Sequence, residues 1–301
     1  MKKTITVNDF KDVFAIIPDN ANKGEMGRVL FVCGSYCGEG MSMCGAAYFA
    51  AKAAYLCGAG IVEIFTPREN YVPLASLVPE AVFSLYGYDE DPLAVTARLS
   101  ESVLKSDSVV IGCGFGKSDL SKEILKTVIE KVSCPLTVDA DGLNILSEND
   151  EYWALLDREQ RGRTVITPHP GEMSRLCGKS ITDIVKKIPE SAENYAAEKG
   201  IICLLKDHNT AVTDGDFVYI NQSGNPGMAT AGMGDVLAGI IGAVLARAKA
   251  EEKSDVLRRV AASAYLHGVA GDIAADRLGQ YSVTAGEILA EIPTAIRRVF
   301  G

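Results

Sequence analysis

The sequence predicts an α/β fold: a mainly parallel central sheet flanked by helices in three layers, with an antiparallel hairpin at one edge. Three observations lead there. Short β-branched runs ending in Gly, Asp or Pro alternate with longer stretches of helical periodicity, the pattern of right-handed crossovers. Glycines and polar residues collect directly after the strands, where an open parallel sheet binds its ligands. The 301 residues are 48% hydrophobic and 23% charged, an ordinary globular composition with chain enough for a core that needs no staples.

Strands are expected at Arg28 to Cys33, Ile61 to Phe65, Ser108 to Ile111, Leu136 to Val138, Thr164 to Ile166 and Ile201 to Leu205. Helical pattern fills Ser42 to Cys57, Leu93 to Leu104, Leu120 to Val132, Gly171 to Cys177 and Ile184 to Lys199. After Leu205 the rhythm changes. Thr210 to Thr213 and Phe217 to Ile220 flank Asp214-Gly215-Asp216, whose Asp-Gly pair reads as a hairpin turn closing the sheet. Helices at Asp235 to Ala250, Asp255 to Arg277 and Thr284 to Phe300 complete the pattern. No Pro/Ser-rich linker, repeat or charge run divides the sequence, so residues 1–301 are expected to form a single domain.

The charge balance narrows the partners. Thirty Lys+Arg against thirty-nine Asp+Glu give a net charge of −9, without the clustered cations that phosphate counterion release requires. Nucleic acid is excluded as an expected partner. Met43 to Val62 is mildly apolar and carries Lys52, and Val236 to Ala246 is too short to span a bilayer, so no membrane is expected. The opening MKKTITVNDF lacks the apolar core of a secretory signal. Eight cysteines show no Cys-x-x-Cys pair and no zinc-type spacing with His, and several sit in apolar strands as small core hydrophobes. A reducing, cytoplasmic setting is the expectation.

The residues that follow the strands are Gly34-Ser35, Gly112-Cys113-Gly114, Asp139-Ala140-Asp141, Thr167 to Glu172 and Lys206 to Thr210. Strand-to-helix turns are rich in Gly, Pro and Asp for local reasons alone, yet that does not account for Lys206, His169 and Glu172 in one layer. The strongest signal is Ser223 to Asp235, in which Gly232 and Gly234 leave amides uncovered at a helix start. Orphan N–H groups and the helix dipole make that end an anion site. Asp235 there has two readings. It either caps the helix, or takes a proton from a hydroxyl while the adjacent amides hold a transferring phosphoryl group. No Lys-Ser/Thr follows the glycines, so this is not a Walker A loop.

A Gly-x-Gly-Asp at a late helix start resembles the ribokinase-like superfamily of small-molecule kinases. The surrounding residues narrow the resemblance. Asn22-Lys23-Gly24, Gly45-Ala46-Ala47, Gly112-x-Gly114, Asp139 to Asn144, Thr167-Pro168-His169-Pro170-Gly171-Glu172 and Gly224 to Thr230 together are similar to the ADP-dependent NAD(P)H-hydrate dehydratases. The match runs from about Asn22 to the C-terminus. The resemblance implies a repair reaction, in which NADHX or NADPHX is restored to NADH or NADPH with ADP, or ATP, as phosphoryl donor and Mg2+ as cofactor. It also implies a homotetramer and coupling to a separate epimerase, since no epimerase domain is expected in the residues before Lys23.

The implied roles follow the motifs. Asp235 matches the acidic residue at the hydrate, and Ala46, Gly114 and His169 match the other hydrate-binding positions. Lys206, Asp207, His208, Asn209 and Thr210 match the nucleotide segment, with Lys206 as the cation on the phosphates and Thr210 as a hydroxyl donor. Gly232 and Gly234 join them. Glu172, with Asp139 or Asp141, is placed to hold magnesium. Two positions depart from the family pattern: Met233 stands where a Thr is usual, and Asp207 where a Gly is usual. His208 reads as a surface residue, His267 as a hydrogen-bonded core histidine, and Tyr36, Tyr86 and Tyr88 as packing residues that could otherwise stack on a base. Trp153 has no assigned role. A hydroxymethylpyrimidine, hydroxyethylthiazole or sugar kinase, and a nucleotide-binding regulatory protein without turnover, are the competing readings.

Overall fold

Alternate side chains of the strand Arg28–Val32 enter different cores. Val29 and Phe31 join one apolar cluster, Leu30 and Val32 the other. A strand apolar on both faces requires helices on both sides, and the computed structural model supplies them. It describes residues 2–10, 12–14, 17–37, 40–248 and 252–301.

The strands are β1 (Lys2–Thr4), β2 (Arg28–Val32), β3 (Tyr36–Cys37), β4 (Met41–Ser42), β5 (Ile61–Pro67), β6 (Val82–Tyr86), β7 (Ser108–Ile111), β8 (Leu136–Val138), β9 (Thr164–Ile166), β10 (Ile202–Leu205), β11 (Thr210–Thr213) and β12 (Val218–Asn221). The α-helices are α1 (Cys44–Leu56), α2 (Tyr71–Leu77), α3 (Pro92–Leu104), α4 (Asp119–Lys131), α5 (Ala140–Glu148), α6 (Arg158–Gly162), α7 (Pro170–Cys177), α8 (Ile181–Lys186), α9 (Ile188–Lys199), α10 (Met233–Ala248), α11 (Lys253–Leu278) and α12 (Ala285–Phe300).

Ten strands form one sheet in the order β1-β12-β11-β10-β9-β8-β7-β2-β5-β6, and β3 and β4 pair separately. Pairings from β10 through β6 are parallel, and β10-β11 and β11-β12 are antiparallel. Helices α1, α10, α11 and α12 cover one face, while α3, α4, α5 and α7 to α9 cover the other.

The structure extends the expected sheet at both ends. The hairpin is not the last element, because β1 pairs parallel with β12 outside it. All three residues of β1 are exposed, so no apolar signal marked it. At the opposite edge β6 adds to β5. The helix expected over Ile184 to Lys199 is two helices that meet at Lys187 (φ −142°). Pro189 explains the break, since it has no N–H for a continuing helix and suits only a first turn. The helix beginning at Met233 is described to Ala248, and its expected last residues lie outside the described ones.

One seam fixes the site's frame. Helix α1 buries Ala46, Ala47, Ala50, Ala51, Ala53 and Ala54, and α10 lies against it. Gly239 makes this possible, because a methyl group there would run into the Ala50 carbonyl. The starts of both helices are thereby held side by side.

Candidate active site

From β2 the chain moves to β5 and β6 on one side and then returns to β7 on the other. The strand order thus reverses between β2 and β7, and the crevice at their carboxyl ends is the expected binding place of such a sheet. Gly34 donates its N–H to the Cys113 carbonyl across it (2.9 Å). Gly114 has φ +58°, and a Cβ there would lie 2.9 Å from both Ala46 Cβ and Met43 Cβ. Only glycine satisfies both constraints. Ala46 and Gly114 are therefore neighbours and make a ledge with no projecting side chain.

Beside the ledge lies a buried charge cluster. Lys206 Nζ, at the end of β10, donates to Asp139 Oδ1 (2.9 Å) and stands 4.0 Å from Glu172 Oε2. Asp139 is 2% exposed and Glu172 6%. Burial alone would lower the Lys206 ammonium pKa, but the charges of Asp139 and Glu172 lift it above its ordinary value. Burial raises the Glu172 carboxyl pKa, with Lys206 opposing.

Asp235 stands in the first turn of α10, and the Gly232 carbonyl accepts the Val236 N–H (3.0 Å). The helix starts at Met233, so Asp235 lies inside the turn and not at the cap position. Burial, then the charge of Asp139, pushes its carboxyl pKa up to about 6, with Cys113 and Lys206 opposing. The Cys113 thiol lies 3.9 Å from Asp139 Oδ2, so this buried cysteine forms part of the acid cluster's floor. A side chain at Gly234 would come within 3.4 Å of Asp139 Oδ2 and 3.5 Å of Lys206 Nζ. Its bare Cα brings the amide turn against the ion pair.

The remaining sequence candidates are placed as follows. His169 caps α7: its Nδ1 accepts from Gly171 N (3.0 Å), and Glu172 Oε2 accepts from His169 N (2.8 Å). Glu172 therefore serves the helix cap as well as the cluster. Asp141 clamps a loop, accepting from Gly116 N (2.8 Å) and Asn144 Nδ2 (3.3 Å). Ala140 between the two aspartates is left-handed at φ +47°, a strained conformation for alanine. Among the described residues no three His, Cys, Asp or Glu side chains form a metal-holding group. Asp139 and Glu172 do offer adjacent hard oxygens, and Mg2+ needs only one or two carboxylates when phosphates and waters complete its shell.

A cleft of about 880 Å³ opens next to the cluster. Lys206, Asp207, His208 and Thr210 line one side, Ser223 to Pro226, Met228 and Gly234 others, and Leu237, Ala264 and Gly268 give an apolar surface. Asn209 does not line it. The Thr210 hydroxyl, expected as a donor toward a ligand, is committed to the loop and donates to the Asp207 carbonyl (2.9 Å). Asp207 Oδ1 accepts from His208 N (2.7 Å), and its Oδ2 is buried without a partner.

His267 is hydrogen-bonded to the Met233 backbone as expected, but it lines the cleft and its Nε2 is buried without a partner. Burial and then Lys206 lower its pKa to about 4, so the ring is neutral at pH 7. The Asn225 side chain donates to Gly271 O (2.9 Å) and Asp272 Oδ1 (3.1 Å), and Gly224 N donates to Asp272 Oδ2 (2.9 Å). Asp272 thus pins the glycine loop. Its only sequence signal is a carboxylate among the small residues of α11.

Residues 29–294 match the family model described as NAD(P)H-hydrate dehydratase. The chain is 37% identical to the bifunctional NAD(P)H-hydrate repair enzyme Nnr of Moorella thermoacetica, over 93% of this chain and 51% of that protein. It thus spans about half the length of such bifunctional relatives. It is 34% identical to the ADP-dependent (S)-NAD(P)H-hydrate dehydratase of Neisseria meningitidis, over 96% of this chain and 90% of that one. A crystal structure of a ribokinase-like superfamily protein from Enterococcus faecalis superposes with a TM-score of 0.83 at 27% identity, covering 99% and 96% of the two chains.

Proposed function

The chain belongs to the NAD(P)H-hydrate dehydratase family, and from that premise we propose that it restores (6S)-NADHX or NADPHX to the reduced dinucleotide. ADP is the phosphoryl donor, and AMP and phosphate are the products. Hydroxide leaves a carbon poorly and phosphate leaves well, so phosphorylating the C6 hydroxyl turns a dehydration into an easy elimination.

Asp235 takes the hydroxyl proton as the oxygen attacks the β-phosphorus of ADP. A carboxyl with a pKa near 6 is a stronger base than an ordinary aspartate and is still ionised at pH 7. Lys206 and the amides around Gly232 to Gly234 face the developing phosphoryl charge. The P–O bond to AMP breaks, the ring nitrogen lone pair expels phosphate from C6, and loss of a C5 proton restores the C5–C6 double bond. Mg2+ would neutralise phosphoryl charge, and Glu172 and Asp139 are the residues to hold it with the phosphates. His169, at the cleft mouth, is assigned to the dinucleotide.

What supports this reading is Asp235 in the first turn of α10, beside Cys113, Asp139 and Lys206 and next to the glycine turn that lines the cleft. A cytoplasmic homotetramer, functionally coupled to an NAD(P)HX epimerase, belongs to the same proposal. Among the described residues no helix is long and apolar enough to cross a membrane. The test is stoichiometry. Acid-hydrated NADH, ADP and Mg2+ should give one AMP and one phosphate per NADH restored, read by phosphorus NMR and reduced-nicotinamide absorbance. A stable phosphomonoester with no absorbance recovery would make the protein a kinase.

A further inference from the structure

A second cleft, of about 590 Å³, lies beyond the Gly114 ledge, and Ser35, Phe115, Gly116 and Lys117 line it where the chain continues from that ledge. Its volume is within the range of small-ligand sites. Tyr36, Arg68 and Tyr88 stand in its wall. The Tyr88 ring is 41% exposed, although Tyr86, itself 1% exposed, braces it edge-on at 5.9 Å. The Tyr88 hydroxyl accepts from Tyr36 N (3.2 Å), tying the two segments together. Of the three tyrosines, Tyr86 is thus a packing residue, while Tyr36 and Tyr88 present surface to the cleft.

The two cations differ. Arg68 is held by Glu90 (2.6 Å) and Asp89 (3.4 Å), and Glu69 also lines the cleft. Among the described residues Lys117 pairs only with Glu148, at 3.7 Å and with both about half exposed, a pairing that a phosphate group can displace at little cost.

We propose that this cleft binds the adenylate half of the dinucleotide hydrate. The inference rests on the dehydratase reading, which requires two nucleotides at once. ADP occupies the larger cleft on one side of the Ala46–Gly114 ledge, and the substrate's own adenylate needs a second cleft on the other. The pyrophosphate passes Gly116 to Lys117, and the adenine lies against Tyr36 and Tyr88, aromatic surface being the usual partner of a base.

The test compares hydrated NADH with hydrated reduced nicotinamide mononucleotide, which lacks the adenylate, in the full-length protein. In the wild type kcat/KM should fall about tenfold or more on truncation, the scale of one stacked base. Tyr88→Ala should cost hydrated NADH a similar factor, and Lys117→Ala a severalfold loss. Tyr88→Ala should leave the truncated substrate within about twofold, Lys117→Ala should cost it less than it costs hydrated NADH because one phosphate remains, and both should leave ADP affinity unchanged. Should Tyr88→Ala fail to fold, the exposed Lys117 carries the comparison. Equal wild-type rates on both substrates, or variant losses shared equally between them, would overturn the adenylate cleft and leave the dehydratase reading standing. Absence of any NADH recovery in the wild type would remove that reading and the cleft assignment together.

Discussion

Lys206 and Arg68 each hold two carboxylates at the carboxyl edge of the same sheet, at distances of 2.9 and 4.0 Å for one and 2.6 and 3.4 Å for the other. Their surroundings differ. The Lys206 side chain is 24% exposed and its partners 3% and 7%, whereas Arg68 is 46% exposed and its partners 27% and 79%. Around Lys206 the charges are poorly screened and move one another's proton affinities, and burial, then the charge of Asp139, lifts Asp235 to a useful base. Around Arg68 hydrogen bonds from Arg98 and Arg68 hold the Glu90 carboxyl near about 2, while water and salt screen most of the energy. Under the proposed function, similar ion-pair distances would serve chemistry in one cleft and adaptable recognition in the other.

The largest expected effect breaks the buried side. Asp235→Asn should lower kcat by about a hundredfold or more, the usual scale for a general base. It should not destabilise the protein. A carboxyl whose folded pKa lies above its unfolded one loses stability as pH rises through the folded value, so at pH 7 its removal should add on the order of 2 kcal/mol. The same raised pKa predicts wild-type activity falling as pH drops through about 6. A melting temperature lowered by several degrees, with turnover per folded molecule preserved, would return Asp235 to a structural role.

Next comes Lys206→Ala, which leaves Asp139 and Glu172 buried without their cation. Breaking such a pair costs roughly 3–5 kcal/mol. The stability difference from wild type should shrink as pH falls, because burial already raises the Glu172 carboxyl's affinity for a proton. ADP affinity should suffer more than hydrate affinity, and equal calorimetric losses for both ligands would contradict the assignment of Lys206 to the phosphates. The smallest effect is on the exposed side. Glu90→Gln should change stability by less than about 1 kcal/mol at moderate salt. A shift comparable to that of Lys206→Ala would erase the distinction between the two clusters.

Much of the architecture was readable because strands buried on both faces advertise themselves as apolar runs, as Ser108–Ile111 and Leu136–Val138 do. What escaped notice lacked that signal. β1 is wholly exposed, and β6, with one edge unpaired, is buried only at Tyr86. Helix α5 begins inside Asp139-Ala140-Asp141-Gly142, whose residues read as a turn. Candidate site residues that follow strands were legible, since parallel topology sends every strand end to one edge. His267 was not, because a cleft-lining position on a helix shares the periodicity of a core position, and nor was Asp272, which acts on the glycine loop from the same helix. The second cleft draws on segments near residues 36, 68, 88 and 116 that only the folded sheet brings together.

The alanine seam between α1 and α10 has a consequence for how this molecule breathes. With Gly239 seated on the Ala50 carbonyl, neither helix can slide or tilt without losing contact along much of its buried length. Their central amides should therefore exchange with deuterated solvent only through global unfolding, among the slowest in the chain. The loops at Tyr36, Asp207 and Gly224 hang from the rim of this unit with few buried apolar side chains, and should exchange orders of magnitude faster. Ligands would enter and leave through local openings of those loops, while the start of each helix, with Ala46 on one and Asp235 on the other, keeps its spacing from one turnover to the next.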